Sequence, residues 1–170
     1  SARVVTVMPG SRMGELKYLA APFMAAVSLL AKRDPQLRFV VPMAGERQRA
    51  YFNQLVLDAG LADVRIDLVD GQSHTAIAAA DAVLVASGTA TLEVALFKKP
   101  MVIAYKVMRA SWEIMRHMGY QPWIGLPERA GLVGSTRITR ARPREPAAAT
   151  VVASGFAPAA LRTRSTRRSR

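Results

Sequence analysis

Two short turns carry the residues best suited to chemistry, Pro9-Gly10-Ser11-Arg12 and Ala86-Ser87-Gly88-Thr89. Each follows a run of apolar, β-branched residues and opens a stretch with helical periodicity. The first turn of a helix leaves several N–H groups unpaired and carries a partial positive charge, so it attracts anions. In the first turn, Gly10 permits close backbone approach and Ser11 offers a hydroxyl and a cap. Arg12 adds a planar fork of N–H donors matched to phosphate oxygens. In the second, Ser87 and Thr89 can donate hydroxyls while Gly88 and its neighbours present amides. The first turn alone reads equally as an ordinary capped turn with a solvated arginine, whereas a phosphate or pyrophosphate is the natural guest of the second. Two such turns on the same edge of one sheet would hold a nucleotide diphosphate.

The neighbouring carboxylates then acquire roles. Glu93 lies one turn past Thr89. Against a phosphate it would repel, but one step further out it could accept the two hydroxyl protons of a ribose. Glu15, in the first helical turn, reads first as a partner of the helix dipole, with orientation of Arg12 as the alternative. Tyr105 and Lys106 follow the last strand pattern. Lys106 could neutralise phosphate and Tyr105 could pack on a base or sugar, with a plain surface lysine as the equal alternative. His74 and His117 lack the partners that a metal site needs and read as structural, although His74 stands near the same edge and is a candidate for base recognition. No lysine of the P-loop type and no GxGxxG occur, so the pattern favours neither nucleotide hydrolysis nor a redox dinucleotide site.

The elements that must position these residues follow from periodicity. Apolar runs predict strands at 3–8, 38–41, 65–69, 82–86 and 101–105, four of them near-continuous, as strands covered on both faces are. The run at 65–69 alternates Arg65 and Asp67 with apolar neighbours and is expected near an edge. Leu16, Leu19, Phe23, Val27 and Leu30 form a stripe at three- and four-residue steps, predicting a helix over 14–32. A more polar helix over 47–59 ends at Gly60, a natural C′ residue. Ser73 and Thr89 are expected to cap two short helices, 73–80 and 89–97. Alternation of strand and helix predicts an α/β, Rossmann-like parallel sheet with flanking helices. Right-handed crossovers would bring every strand-to-helix turn to one edge.

Composition limits the alternatives. With 170 residues, 51% hydrophobic and no cysteine, the chain has material for one core and none for disulfides or thiolate chemistry. No run of 18 apolar residues predicts a membrane-spanning helix, and no basic stretch followed by an apolar block opens the sequence. The chain starts directly on a strand pattern without an initiator methionine, as a piece of a longer protein would. The net charge of +12 is unevenly placed: residues 129–170 hold ten arginines and one acid, against fourteen bases and eleven acids before them. Periodicity fails in this tail and lysine disappears. The sequence therefore divides into a nucleotide-binding unit, 1–127, and a basic low-complexity tail, 128–170, disordered or translated out of frame from a GC-rich gene. Such a tail would bind nucleic acid only nonspecifically. Residues 112–124, rich in Trp, Met and Ile, read as core or interface, with lipid contact as the alternative.

The blocks MPGSRxxEL (8–16), AAADAVLVASGTATLEVALFKKPMVIAYK (78–106) and GLP (125–127) together resemble the C-terminal half of bacterial lipid-A-disaccharide synthases. The resemblance implies the donor-binding domain of a GT-B glycosyltransferase that joins UDP-2,3-diacylglucosamine to 2,3-diacylglucosamine 1-phosphate. It implies that Gly10, Ser11 and Arg12 line the diphosphate loop, that Ser87, Gly88 and Thr89 meet phosphate, and that Glu93 grips the ribose. Arg12 would stabilise the leaving group with neither metal nor cofactor, and the catalytic base would come from an N-terminal domain. A cytoplasmic, peripheral position on the inner face of the bacterial inner membrane and a homodimer are further implications. The pattern departs from the family after Pro127, where Glu128 and the basic tail replace an Asn and an apolar helix. Another UDP-sugar enzyme, a muramyl-pathway N-acetylglucosaminyltransferase or a UDP-N-acetylglucosamine epimerase, fits these blocks less well. The coding DNA around codon 128 tests the tail. A second open frame encoding an apolar helical continuation is expected, and a gene with no such frame contradicts the frame-shift reading.

Overall fold

The computed structural model describes residues 3–105, 137–139 and 150–154. Five parallel strands are built where apolar runs predicted them: β1 (Val4–Met8), β2 (Arg38–Met43), β3 (Ile66–Asp70), β4 (Ala82–Ala86) and β5 (Met101–Tyr105). Four helices connect them: α1 (Met13–Arg33), α2 (Glu46–Asp58), α3 (Ser73–Ala79) and α4 (Ala90–Leu96). The strand order is β3-β2-β1-β4-β5, the doubly wound arrangement of an α/β, Rossmann-like fold. β3 takes the outer place that its mixed composition predicted.

Alternation along the buried strands divides the core in two. Val7, Phe39, Val41, Ala86 and Ala104 pack with Leu16, Ala20, Phe23 and Val27 of α1 and Phe52 of α2. On the opposite face, Val83, Val85, Met101 and Ile103 meet Ile77 of α3 and Val94 of α4. α1 is long and apolar enough to cross a membrane by length and composition, although charged residues interrupt its apolar run. Here one stripe of it lies in the core: Leu16, Ala20, Phe23, Met24 and Val27 are almost fully buried. Pro22 sits inside this helix, and the stripe on both sides of it carries the helix through.

The turn chemistry differs from expectation at three places. Neither Ser11, Ser73 nor Thr89 caps a helix through its side chain. The N-cap positions of α1, α3 and α4 are Arg12, Gln72 and Thr89, and none makes a side-chain cap hydrogen bond. Ser73 already lies within the first turn of α3, and Thr89 has helical dihedrals, which turn its hydroxyl away from the capping geometry. Thr91 closes the α4 turn instead, its buried Oγ1 donating to the Gly88 carbonyl at 2.6 Å. Gly60, with φ of +65°, ends α2 as predicted.

Two segments of the basic tail also depart from the expectation that it forms no regular element. β6 (Arg137–Thr139) and β7 (Thr150–Ser154) extend the sheet antiparallel, β7 against β5 and β6 against β7. The β-branched Thr150-Val151-Val152 run favours a strand, and the outer edge of β5 offers unpaired backbone groups to it.

A single buried hydroxyl positions α3. Thr6 on β1 is fully buried and its Oγ1 donates to the Ala76 carbonyl at 2.7 Å. Thr6→Val keeps the shape and strands that carbonyl, so it should lower unfolding stability by about 1–3 kcal/mol. Urea unfolding at constant m-value checks this, and a loss below a few tenths would contradict it.

Candidate functional site

The order reversal lies between β1 and β4, which pair in parallel with Val5 opposite Ala82 and Met8 opposite Val85. Continuing that register sets Gly10 level with Ser87, so the two turns leave the sheet side by side. The chain after β1 rises into α1 on one face and the chain after β4 into α4 on the other. A crevice opens between them, the place where open α/β sheets bind ligands. It has a volume of about 550 Å³. Gly10, Ser11, Arg12, Ser87, Gly88, Thr89 and Glu93 all line it. Seven of the nine predicted site residues are therefore gathered in one cleft. Tyr105 ends β5 at the same sheet edge. Lys106, His117 and the 112–124 segment lie outside the described residues.

Gly10 has φ of +108°, and a Cβ there would lie 2.8 Å from Glu15 Oε2. The loop thus needs glycine twice, for its dihedral and for the carboxylate folded over it. The other oxygen of Glu15 accepts from Arg12 Nη1 at 3.3 Å, so Glu15 takes the orienting role that had been the second choice. Arg12 remains 84% exposed, with donors to spare for a guest. Gln48, in the first turn of α2, holds the loop from behind by donating to the Ser11 carbonyl at 3.0 Å.

The second turn is less open than its sequence implied. The Ser87 amide donates to the Ala104 carbonyl at 2.9 Å, extending the β4–β5 ladder, so it is not available to an anion. The first amides returning into α4 are those of Thr91 and Leu92, bonded to the carbonyls of Gly88 and Thr89. The amides of Gly88, Thr89 and Ala90 precede these bonds and have no backbone acceptor among the described residues. Glu93 stands at the end of the cleft, its Oε2 accepting from His74 Nε2 at 3.1 Å.

Sequence reasoning missed several contributors. Gly71, Ser73 and the β2 end at Pro42-Met43-Ala44 form the far wall, and Gly71, with φ of +63°, ties to the Met43 carbonyl at 3.0 Å. The place of Gly71 in the wall depends on β2–β3 pairing, which sets Asp70 opposite Met43. A second recess of about 360 Å³ lies between Tyr18 and Leu19 of α1 and Ala104, sharing the Ala86-Ser87 wall. Among the described residues no three His, Asp or Glu side chains cluster closely enough to hold a metal ion.

A doubly wound parallel sheet with two helix-opening turns at its strand reversal places the chain in the α/β, Rossmann-like class. The particular family follows from sequence: residues 1–128 match the lipid-A-disaccharide synthetase family, and the chain belongs to it. Relatives carrying the name lipid-A-disaccharide synthase include one from Cupriavidus pinatubonensis, 50% identical over 125 residues, or 74% of this chain and 31% of that protein. Another, from Verminephrobacter eiseniae, is 48% identical over 124 residues, 73% of this chain and 31% of that protein. The chain thus spans about a third of the length of the curated relatives it matches. Among solved structures, a UDP-GlcNAc 2-epimerase from Neisseria meningitidis bound to UDP-GlcNAc is 18% identical, with a TM-score of 0.47, over 60% of this chain and 28% of that one.

Gly10→Ala should destabilise the fold by about 1–2 kcal/mol, because an L side chain is strained at this φ. Adding Glu15→Ala should recover only part of the loss, since it removes the carboxylate contact and leaves the dihedral and the Cβ contact at 3.0 Å. Full recovery in thermal unfolding would show that the carboxylate contact alone requires the glycine.

Proposed function

We propose that residues 1–127 are the donor-binding part of a lipid-A-disaccharide synthase and that the cleft takes the UDP of UDP-2,3-diacylglucosamine. The observation that carries the reading is the convergence of the Gly10 and Gly88 turns at the β1/β4 reversal. Arg12 and the free amides of both turns would hold the diphosphate, and Glu93 the ribose hydroxyls. Tyr105 and Lys106 belong to the base and phosphate ends of the same donor. The cleft volume of about 550 Å³ suits the UDP part of this donor, and Arg12 is the one cation among the described residues of its lining.

The reaction is an inverting transfer. A base takes the proton from the acceptor hydroxyl of 2,3-diacylglucosamine 1-phosphate as that oxygen attacks the anomeric carbon. The bond from that carbon to the UDP oxygen breaks, giving the β-1,6-linked disaccharide phosphate and UDP. Negative charge grows on the departing diphosphate, and fixed amides and Arg12 stabilise it there more than in the ground state. In this reading the acceptor and the base belong to the N-terminal domain of the complete enzyme. The enzyme would act as a homodimer on the inner face of the cytoplasmic membrane, where both lipid substrates lie. The tail from 128 to 170 contributes nothing to donor binding.

Calorimetric titration of the chain with UDP tests the reading. Binding without transferase activity is expected, and Arg12→Ala should weaken it about tenfold at low salt, the worth of one charge-assisted hydrogen bond. Equal affinity in the variant would remove Arg12 from the site, and no UDP binding at all would overturn the assignment.

A further inference from the structure

We propose that His74 is a positioning residue for Glu93 and thereby sets the preference of the cleft for a ribose over a deoxygenated sugar. The inference deepens the donor-site reading and rests on it. His74 Nε2 lies 3.1 Å from Glu93 Oε2. A carboxylate can only accept, so Nε2 carries the hydrogen. The imidazole also packs against Phe97, ring centroids 5.8 Å apart and tilted by 40°. Glu93 and Phe97 are four residues apart and so share one face of α4. His74, itself 69% exposed, therefore bridges two groups on one face of a neighbouring helix, with Phe97 limiting the ring on one side.

The consequence concerns the other oxygen. A glutamate that is 38% exposed samples several rotamers, and an exposed hydrogen bond alone does little to prevent it. Bonding Oε2 to a ring that also touches Phe97 reduces that freedom. Among the described residues Oε1 makes no hydrogen bond, and Glu93 lines the cleft. One oxygen is thus committed to the protein and the other is held for the guest. The anchor is firmly placed: α3 is tied to β1 by Thr6 Oγ1 on the Ala76 carbonyl at 2.7 Å, and to the start of β5 by Lys99 Nζ on the Ala80 carbonyl at 2.8 Å. Ser73, next to His74, lines the same cleft as Glu93. A purely structural histidine would have no need to address a cleft carboxylate.

The test compares UDP with its 2′,3′-dideoxy analogue by calorimetry on the 170-residue chain, with far-ultraviolet circular dichroism confirming that each variant is folded. Wild type should favour UDP by about tenfold, as expected for hydroxyls bonded to a charged group. Glu93→Gln should bring that ratio toward one. His74→Phe keeps the ring and removes the donor, and it should lower the ratio in the same direction. His74→Gln restores an N–H donor and should return most of the preference. In the Glu93→Gln background, His74→Phe should change nothing further. If His74→Phe leaves the ratio intact while Glu93→Gln abolishes it, the ribose reading stands and the positioning role is overturned. If Glu93→Gln also leaves it intact, or UDP does not bind, the ribose reading itself falls and takes the proposal with it.

Discussion

The parallel pairing of β1 with β4 is the constraint on which everything else rests. These strands are separated by more than two intervening strand–helix units, yet they are neighbours at the centre of the sheet. Because the chain builds outward from β1 in one direction and returns to build in the other, α1 and α4 leave on opposite faces. The space between their starting turns cannot be filled by either helix, and a cleft results without any residue being spent on making one. The pairing is clamped at its far end by reciprocal bonds. The Val4 amide donates to Asp81 Oδ2 at 2.8 Å and the Asp81 amide to the Val4 carbonyl at 2.8 Å. Slippage by one residue would turn Thr6 toward the α1 face and Val5 and Val7 toward α3, reversing the burial of the central strand.

Charge in the cleft is arranged locally. The unit from 1 to 128 is only mildly basic, so attraction of the proposed anion would depend on amide dipoles and one arginine. Two carboxylates stand at its margins, and each is occupied by a donor: Glu15 by Arg12 and Glu93 by His74. In the proposed site this leaves Arg12 and the turn amides for phosphate and Glu93 for hydroxyl groups. A large basic tail could not supply such an arrangement, since arginines on an unpatterned segment attract any polyanion equally. In the proposed site geometry, rather than net charge, would confer selectivity.

Much of the fold was legible because its signals are local and redundant. The five parallel strands and four helices follow from apolar runs and a three-to-four residue stripe, and the edge position of β3 from Arg65 and Asp67. The two turns were legible as helix-opening turns from residue type alone. What escaped depends on dihedrals or on distant partners. Ser11, Ser73 and Thr89 have the composition of caps, but capping requires an extended backbone at one position, and a shift of one residue defeats it. Ser87 looked like a free amide until the pairing of β4 with β5 directed that amide to Ala104. His74 and Glu93 are nineteen residues apart on different helices, and only the crossover through β4 brings them together. The strands at Arg137–Thr139 and Thr150–Ser154 escaped because they depend on an available edge at β5 rather than on periodicity of their own.

The central claim is that turns distant in sequence grip one diphosphate. A crystal structure of the chain with UDP measures this directly. The account predicts both phosphates bridging the Gly10-Ser11 loop and the Gly88-Thr89 turn, with the ribose at Glu93. A nucleotide bound by only one of these turns, or seated in the recess beside Tyr18, would contradict it.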